Sequence, residues 1–292
     1  MRVSRKILTF DETNRRDFFF CSDVHFGNVA ADIKQFKKDL KEAKEREARI
    51  LMIGDLFDSI YSKDPRHTPS ILIPELQGRD DPIDFAIDLL TDILKPYADL
   101  IDGIGYGNHE ESFIRYNATH PTKRLIHELE LSTGAEISDL GYSGYVLYDL
   151  YKNNKKRNHF NILYHHGSGG GAPVTKGMIN INRKQTAWVY DLYIFGHKHR
   201  NIADNSVCIL PHRASKPKND WVEQRPMLSA QIGNYLRNYP KDEDGSLITY
   251  SEKREHIPSP IGGTFGYITL NSKNGKYKLS TTIEIRGNPG GT

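Results

Sequence analysis

Five short clusters in the chain carry side chains that can bind a metal ion or move a proton. They are Asp23-x-His25, Gly54-Asp55-x-x-Asp58, Gly107-Asn108-His109-Glu110, His165-His166-Gly167 and Gly196-His197-x-His199. Carboxylate oxygen and imidazole nitrogen together suit borderline divalent ions such as Mn, Fe, Zn, Co or Ni. Residues two apart on an extended strand point to the same side. Asp23 with His25, and His197 with His199, can therefore each face one cavity. A neighbouring glycine lets backbone approach closely, because it has no Cβ. Taken singly, these clusters are weak signals: Asp-x-His pairs are common, and Gly-Asp-x-x-Asp is often a turn or a helix cap. Their recurrence in order, each at the end of an apolar run, makes coincidence a poor account. His165 and His166 raise a narrower question, since adjacent strand residues point to opposite faces and one site uses only one of them directly.

The elements that must position these residues are legible as apolar runs. 17-DFFFCSD-23, 49-RILMIGD-55, 98-ADLIDGIGYGNHE-110, 159-HFNILYH-165 and 191-DLYIFGHKH-199 each end in one cluster. Continuous apolar runs of this length suit strands buried on both faces. Between them lie helical patterns: Ile33, Phe36, Leu40 and Ala43 share a face, and further helices are expected at about 83–94, 111–116, 122–131 and 184–189. Another strand is expected at 144–150. Beyond Ile202 the pattern turns to strand and loop, and 264–285 reads as a hairpin with Asn274-Gly275 at its turn. Residues 59–82 read as a long loop, and 211–262, rich in proline and charge, give no clear pattern. Alternating β and α followed by a β-rich half predicts an α/β protein with helices over stacked sheets, in one domain across 1–292. In open α/β sheets ligands bind beyond the carboxyl ends of the strands, so five strand ends can converge on a single site.

Composition bounds the rest. A formal charge of +3 allows an anionic substrate without marking a nucleic-acid footprint. Cys21 and Cys208 both read as buried small residues, which argues against a disulfide framework and for a reducing compartment. No signal-peptide core or membrane-spanning apolar stretch is visible, so a soluble, cytoplasmic protein with no membrane partner is expected.

The ordered set D-x-H, G-D-x-x-D, G-N-H-E, H and G-H-x-H resembles the calcineurin-like metallophosphoesterases, over about 60% of the chain, from Asp23 to His199. The wording of 54-GDLFDSIYSKDPRH-67 and 165-HHGSGGG-171 is similar to the branch found in bacterial and phage genomes. The resemblance implies a four-layer fold of two stacked mixed β-sheets flanked by helices, with a β-rich C-terminal part and insertions at about 59–82 and 205–262. It implies two divalent metal ions, Mn foremost, with Fe, Zn, Co, Ni or Mg also suited. Asp23, His25, Asp55 and His199 would hold the first. Asp55 would bridge to the second, completed by Asn108, a histidine of the 165/166 pair, and His197. His109 would stand near the leaving-group oxygen as acid or orienter, with Asp58 hydrogen-bonded to it. Glycine after His166 favours that histidine as the ligand; His165 stays open as the alternative ligand or a phosphate contact. The implied reaction is hydrolysis of a phosphoester by a metal-bridging hydroxide, foremost of a phosphodiester in a nucleotide or nucleic acid. The alternatives are a broad phosphomonoesterase and a non-catalytic interaction scaffold. Arg66 and Arg115 are candidate substrate contacts, as are Arg183, Lys184 and Arg200, while Tyr106 and Tyr116 could stack a base. The oligomeric state is left open.

Overall fold

The computed structural model describes residues 1–10, 12–58, 60, 64, 71–169, 178–212, 221–239, 252, 258–273 and 276–286. The chain begins with β1 (Arg2–Thr9) and β2 (Arg15–Cys21). Helix α1 (Ile33–Glu45) follows, its first turn capped by the Asp32 carboxylate, which accepts from the Gln35 N–H at 3.0 Å. Then come β3 (Arg49–Ile53), α2 (Pro82–Leu94), β4 (Ile101–Gly105), α3 (Asn108–Asn117) and α4 (Pro121–Thr133). Proline opens both α2 and α4, where a missing N–H costs nothing. The next elements are β5 (Ser138–Gly141), β6 (Ser143–Lys152), β7 (Lys155–His165), α5 (Met178–Ala187) and β8 (Leu192–Phe195). β9 (Ile202–His212), β10 (Trp221–Gln231), β11 (Thr264–Lys273) and β12 (Lys276–Glu284) complete the chain.

These strands form two six-stranded mixed sheets, ordered β1-β6-β7-β8-β10-β9 and β12-β11-β2-β3-β4-β5. Strands β2 to β5 run parallel, as do β7, β8 and β10. The inner faces share one core, with Phe18, Phe20, Leu51 and Ile53 from one sheet against Val146, Tyr148, Phe160 and Ile162 from the other. Phe18 sits between them, its ring centroid 5.3 Å from Tyr148 and 5.7 Å from Phe160. α1, α2 and α4 cover the outer face of the β2–β5 sheet through Phe36, Leu40, Leu90 and Leu125. α5 covers the other sheet through Ile181, against Leu163, Tyr193 and Phe195. The result is the expected α/β fold of two stacked mixed sheets flanked by helices, helix–sheet–sheet–helix in section. Among the described residues no helix is long and apolar enough to cross a membrane.

Several local expectations shift. β1 and β5 were not anticipated: β1 is an edge strand with most side chains exposed, and β5 has four residues. α3 starts at Asn108 rather than near 111, so Asn108 and His109 lie in a first helical turn. α5 lies earlier than 184–189. β9 and β10 extend the first sheet beyond β8. Cys21 is buried, but Cys208 is only partly covered. Within the two expected insertions, residues 59, 61–63, 65–70, 213–220, 240–251 and 253–257 lie outside the described residues, as does the Asn274-Gly275 turn.

Removing a large aromatic from a close-packed core costs both transfer energy and a cavity. Phe18→Ala is expected to lower unfolding free energy in urea by about 3–5 kcal/mol. A loss below about 1 kcal/mol, small for any core truncation, would show that the two sheets do not pack through this ring.

Candidate metal centre

All five clusters follow the carboxyl ends of β2, β3, β4, β7 and β8, and the two sheets bring those ends together. The loops after β2 and β3 run side by side: Asp23 N–H donates to Gly54 O at 3.0 Å, and His25 N–H to Asp55 O at 3.0 Å. The strand alternation expected for Asp23 and His25, and for His197 and His199, does not operate here. These residues and Asp55 take left-handed backbone conformations, with φ of 53° at Asp23, 50° at His25, 49° at Asp55, 70° at His197 and 50° at His199. Such conformations are costly for non-glycine residues and persist where surrounding structure enforces them, commonly at functional sites. The turns they make aim the side chains inward.

Two ligand groups result. In the first, Asp23, His25 and His199 offer donor atoms within 4.8 Å of one another. His25 Nε2 and His199 Nε2 stand 3.3 Å apart, and His199 Nε2 is 3.3 Å from Asp23 Oδ1. In the second, Asp55, His166 and His197 meet the same criterion of 4.8 Å. His166 Nε2 lies 3.2 Å from Asp55 Oδ2 and 3.2 Å from Asn108 Oδ1. His166 Nδ1 faces Ile53 O at 3.2 Å, an acceptor only, so Nδ1 keeps a proton and Nε2 is the atom that would meet a cation in place of its own proton. Asp55 also groups with His25 and His109, which places it between the two sets.

Divalent cations fit this arrangement. Asp23 Oδ2 accepts from the His197 N–H at 2.8 Å, but Asp23 Oδ1 is buried with no hydrogen-bond partner. An orphaned buried carboxylate oxygen facing two imidazole nitrogens is accounted for by a cation. Asp23, His25 and His199 would hold one, Asp55, Asn108, His166 and His197 the other, with Asp55 reaching both. The electrostatics agree. Burial pushes both carboxyls up, yet the imidazoles outweigh it: His199 holds Asp23, and His166 and His109 hold Asp55, below the usual carboxylate range. Burial pulls the His166 imidazole down, but Asp55 raises it to about 9. Asp55 thus favours positive charge beside it, whereas burial lowers the His25 and His197 imidazoles.

Glycines admit this crowding at two points. A Cβ on Gly107 would fall 2.2 Å from Asp55 Oδ1, and one on Gly196 would fall 2.1 Å from Ser22 Oγ.

The remaining candidates separate clearly. His109 donates its backbone N–H to Asp55 Oδ1 at 2.9 Å, and its Nδ1 lies 2.6 Å from Asp58 O. Asp58 therefore orients His109 chiefly through its carbonyl. Its carboxylate is nearer His25, with Oδ1 3.2 Å from His25 Nδ1 against 3.5 Å from His109 Nδ1. The expected carboxylate–His109 pairing is thus corrected to a shared role, because left-handed His25 turns its ring toward Asp58. His165 Nδ1 accepts from the Gly167 N–H at 2.8 Å, outside both ligand groups. Burial, helped by Lys184, lowers His165 to about 4, so it stays neutral. Arg115 is exposed on α3, two helical turns beyond Asn108, and Tyr116 is exposed beside it. Arg66 lies outside the described residues, as do Gly170 and Gly171 of the glycine-rich loop.

Two contributors had no assignment from sequence. Glu110, fully buried, receives N–H groups from the loops that carry Asp55 and Asn108; burial and nearby Asp55 push it up to about 7. Tyr235, beyond β10, donates its N–H to Asp23 O at 2.9 Å. Nothing local to Tyr235 signals that contact, since its partner is over two hundred residues away.

Residues 17–201 match the family model described as calcineurin-like phosphoesterase, and the chain belongs to that family. No curated protein matches it. Among solved structures, a Vps29 mutant from Entamoeba histolytica is 12% identical, with 92% of this chain and 99% of that one covered, at a TM-score of 0.35. GAP50, the anchor in the inner membrane complex of Plasmodium, is 12% identical over 94% of this chain and 90% of its own, at a TM-score of 0.39. A metallophosphoesterase from Sphaerobacter thermophilus is 12% identical over 92% and 89%, at 0.31. The family assignment rests on the family match.

The two histidines are separable by metal content. His166→Ala is expected to retain about one Mn per chain where the parent retains two, and His165→Ala to retain both, by elemental analysis after gel filtration. The opposite pattern would make His165 the ligand.

Proposed function

We propose that this protein is a two-cation phosphoesterase that hydrolyses phosphodiesters. The observation that carries the reading is the pair of ligand groups with Asp55 between them. Two divalent cations there would neutralise phosphoryl charge and activate a water near neutral pH. The chain's own residues supply the rest. Asp55 presents one oxygen toward His166 and the other to the His109 N–H, so its carboxylate is held in one orientation. His109 Nδ1 donates to Asp58 O, so proton transfer to a leaving oxygen would pass through Nε2 of the imidazolium form. Asp58, against both His25 and His109, keeps those rings in register. Partly exposed Tyr106 and Tyr142 stand beside this group, with Tyr142 in edge contact with His166. They suit a substrate carrying a base, so a nucleotide or nucleic-acid diester is the favoured class. The mildly basic balance supports an anionic substrate, with Mn the favoured ion, in a bacterial- or phage-type cytoplasmic enzyme.

The test is turnover of bis-p-nitrophenyl phosphate and of the monoester, with Mn and with chelator. The diester should be hydrolysed faster, and chelation should abolish both. Asp55→Asn should reduce turnover by more than about a hundredfold, beyond what loss of an outer partner costs. Full activity in that variant would refute the assignment. Faster monoester turnover would make the protein a phosphomonoesterase, and no turnover with any divalent ion would leave an interaction scaffold.

A further inference from the structure

Glu110 is completely buried at the third position of α3. Its Oε2 accepts from the Gly107 N–H at 2.8 Å, the reach-back contact of a helix capping box. Capping needs nothing more, yet the same carboxylate continues across to another segment. Oε2 also accepts from the Asp55 N–H at 3.1 Å, and Oε1 from the Phe57 N–H at 2.9 Å. One side chain therefore ties the loop after β3, which carries Asp55, to the loop after β4, which carries Asn108. The two loops are also pressed together at Gly107, where any Cβ would meet Asp55 Oδ1 at 2.2 Å. Asp55 itself is in the left-handed region, with φ of 49°, and its own N–H is one of the groups that Glu110 fixes.

We propose that Glu110 is the positioning residue of the centre, setting the separation of Asp55 and Asn108 so that the second cation is held. The inference rests on the two-cation reading. It is distinct from ligation: Glu110 spends both oxygens on backbone N–H groups. The requirement is for two acceptor oxygens. Glutamine has nearly the same shape but only one, so its NH₂ must face at least one of the three N–H donors. Whichever way that amide is turned, either the Phe57 contact or the Asp55 and Gly107 contacts are lost, and the loops separate. Aspartate keeps the charge but falls short by one methylene.

The experiment is calorimetric titration of the chelator-stripped full chain with Mn, for the parent, Glu110→Gln, Glu110→Asp and Leu270→Ala. Loss of a partner that orients a ligand typically weakens metal affinity by about 10–100-fold, and that is expected at the second site of both Glu110 variants, with the first site little changed. Leu270 is buried in the core beside the start of β2, at the opposite end from the ligand loops, so Leu270→Ala lowers stability without touching either loop and should bind two ions as the parent does. A merely structural role for Glu110 would leave it behaving like Leu270→Ala. A folded Glu110→Gln or Glu110→Asp that titrates like the parent overturns the proposal, and Glu110→Asp carries the test if Glu110→Gln does not fold. A parent that binds fewer than two ions overturns the two-cation reading and this inference together.

Discussion

The structure depends on burying two carboxylates, Asp23 and Asp55, at the junction of two sheets. Unpaired charge in a protein interior costs several kcal/mol per ion, so these groups persist only if the surroundings are arranged to be positive toward them. The arrangement is visible in detail. His199 and His166 approach the carboxylates, and the N–H groups of His197 and His109 are donated to them. What protein donors leave unsatisfied is Asp23 Oδ1, turned toward the imidazoles of His25 and His199. A cation bound there would complete the balance, and a cation is what the proposed phosphoester hydrolysis would use.

Holding that much polarity together falls to the rigid parts of the fold. Three parallel strands of one sheet and two of the other aim their carboxyl ends at one spot, and the aromatic core around Phe18 fixes how the sheets face each other. Left-handed turns at Asp23, His25, Asp55, His197 and His199 bend the chain inward at the ends of β2, β3 and β8. They hold because neighbouring backbone locks them: the loops after β2 and β3 hydrogen-bond to each other, Tyr235 reaches Asp23 O, and Glu110 ties the loop after β3 to the start of α3.

Much of this was legible in the sequence, for a physical reason. The ligand clusters sit within a few residues of apolar strands, so short-range spacing exposes both the strand and its polar end. The central strands and α1 read clearly because burial on two faces, or on one helical face, leaves a periodic trace. β1 left no such trace, since an edge strand keeps most of its side chains wet. Asn108 and His109 looked like a strand end but open a helix, because Glu110 caps it from within. The histidine pair was undecidable from spacing alone. It takes Ile53 O, from the other sheet, to orient the His166 ring, and the Gly167 N–H to occupy His165. The link from Asp58 to His109 was anticipated as carboxylate to imidazole, whereas the closer contact is through the carbonyl, which side-chain type cannot reveal.

The central claim is that two cations share Asp55. Electron paramagnetic resonance of the protein loaded with two equivalents of Mn(II) tests it most directly, because ions bridged by one carboxylate couple magnetically and distant ions do not. A multiline spectrum of a spin-coupled pair that collapses to isolated-ion signals in Asp55→Asn is the predicted result. Uncoupled six-line signals from the parent at full loading would contradict the account.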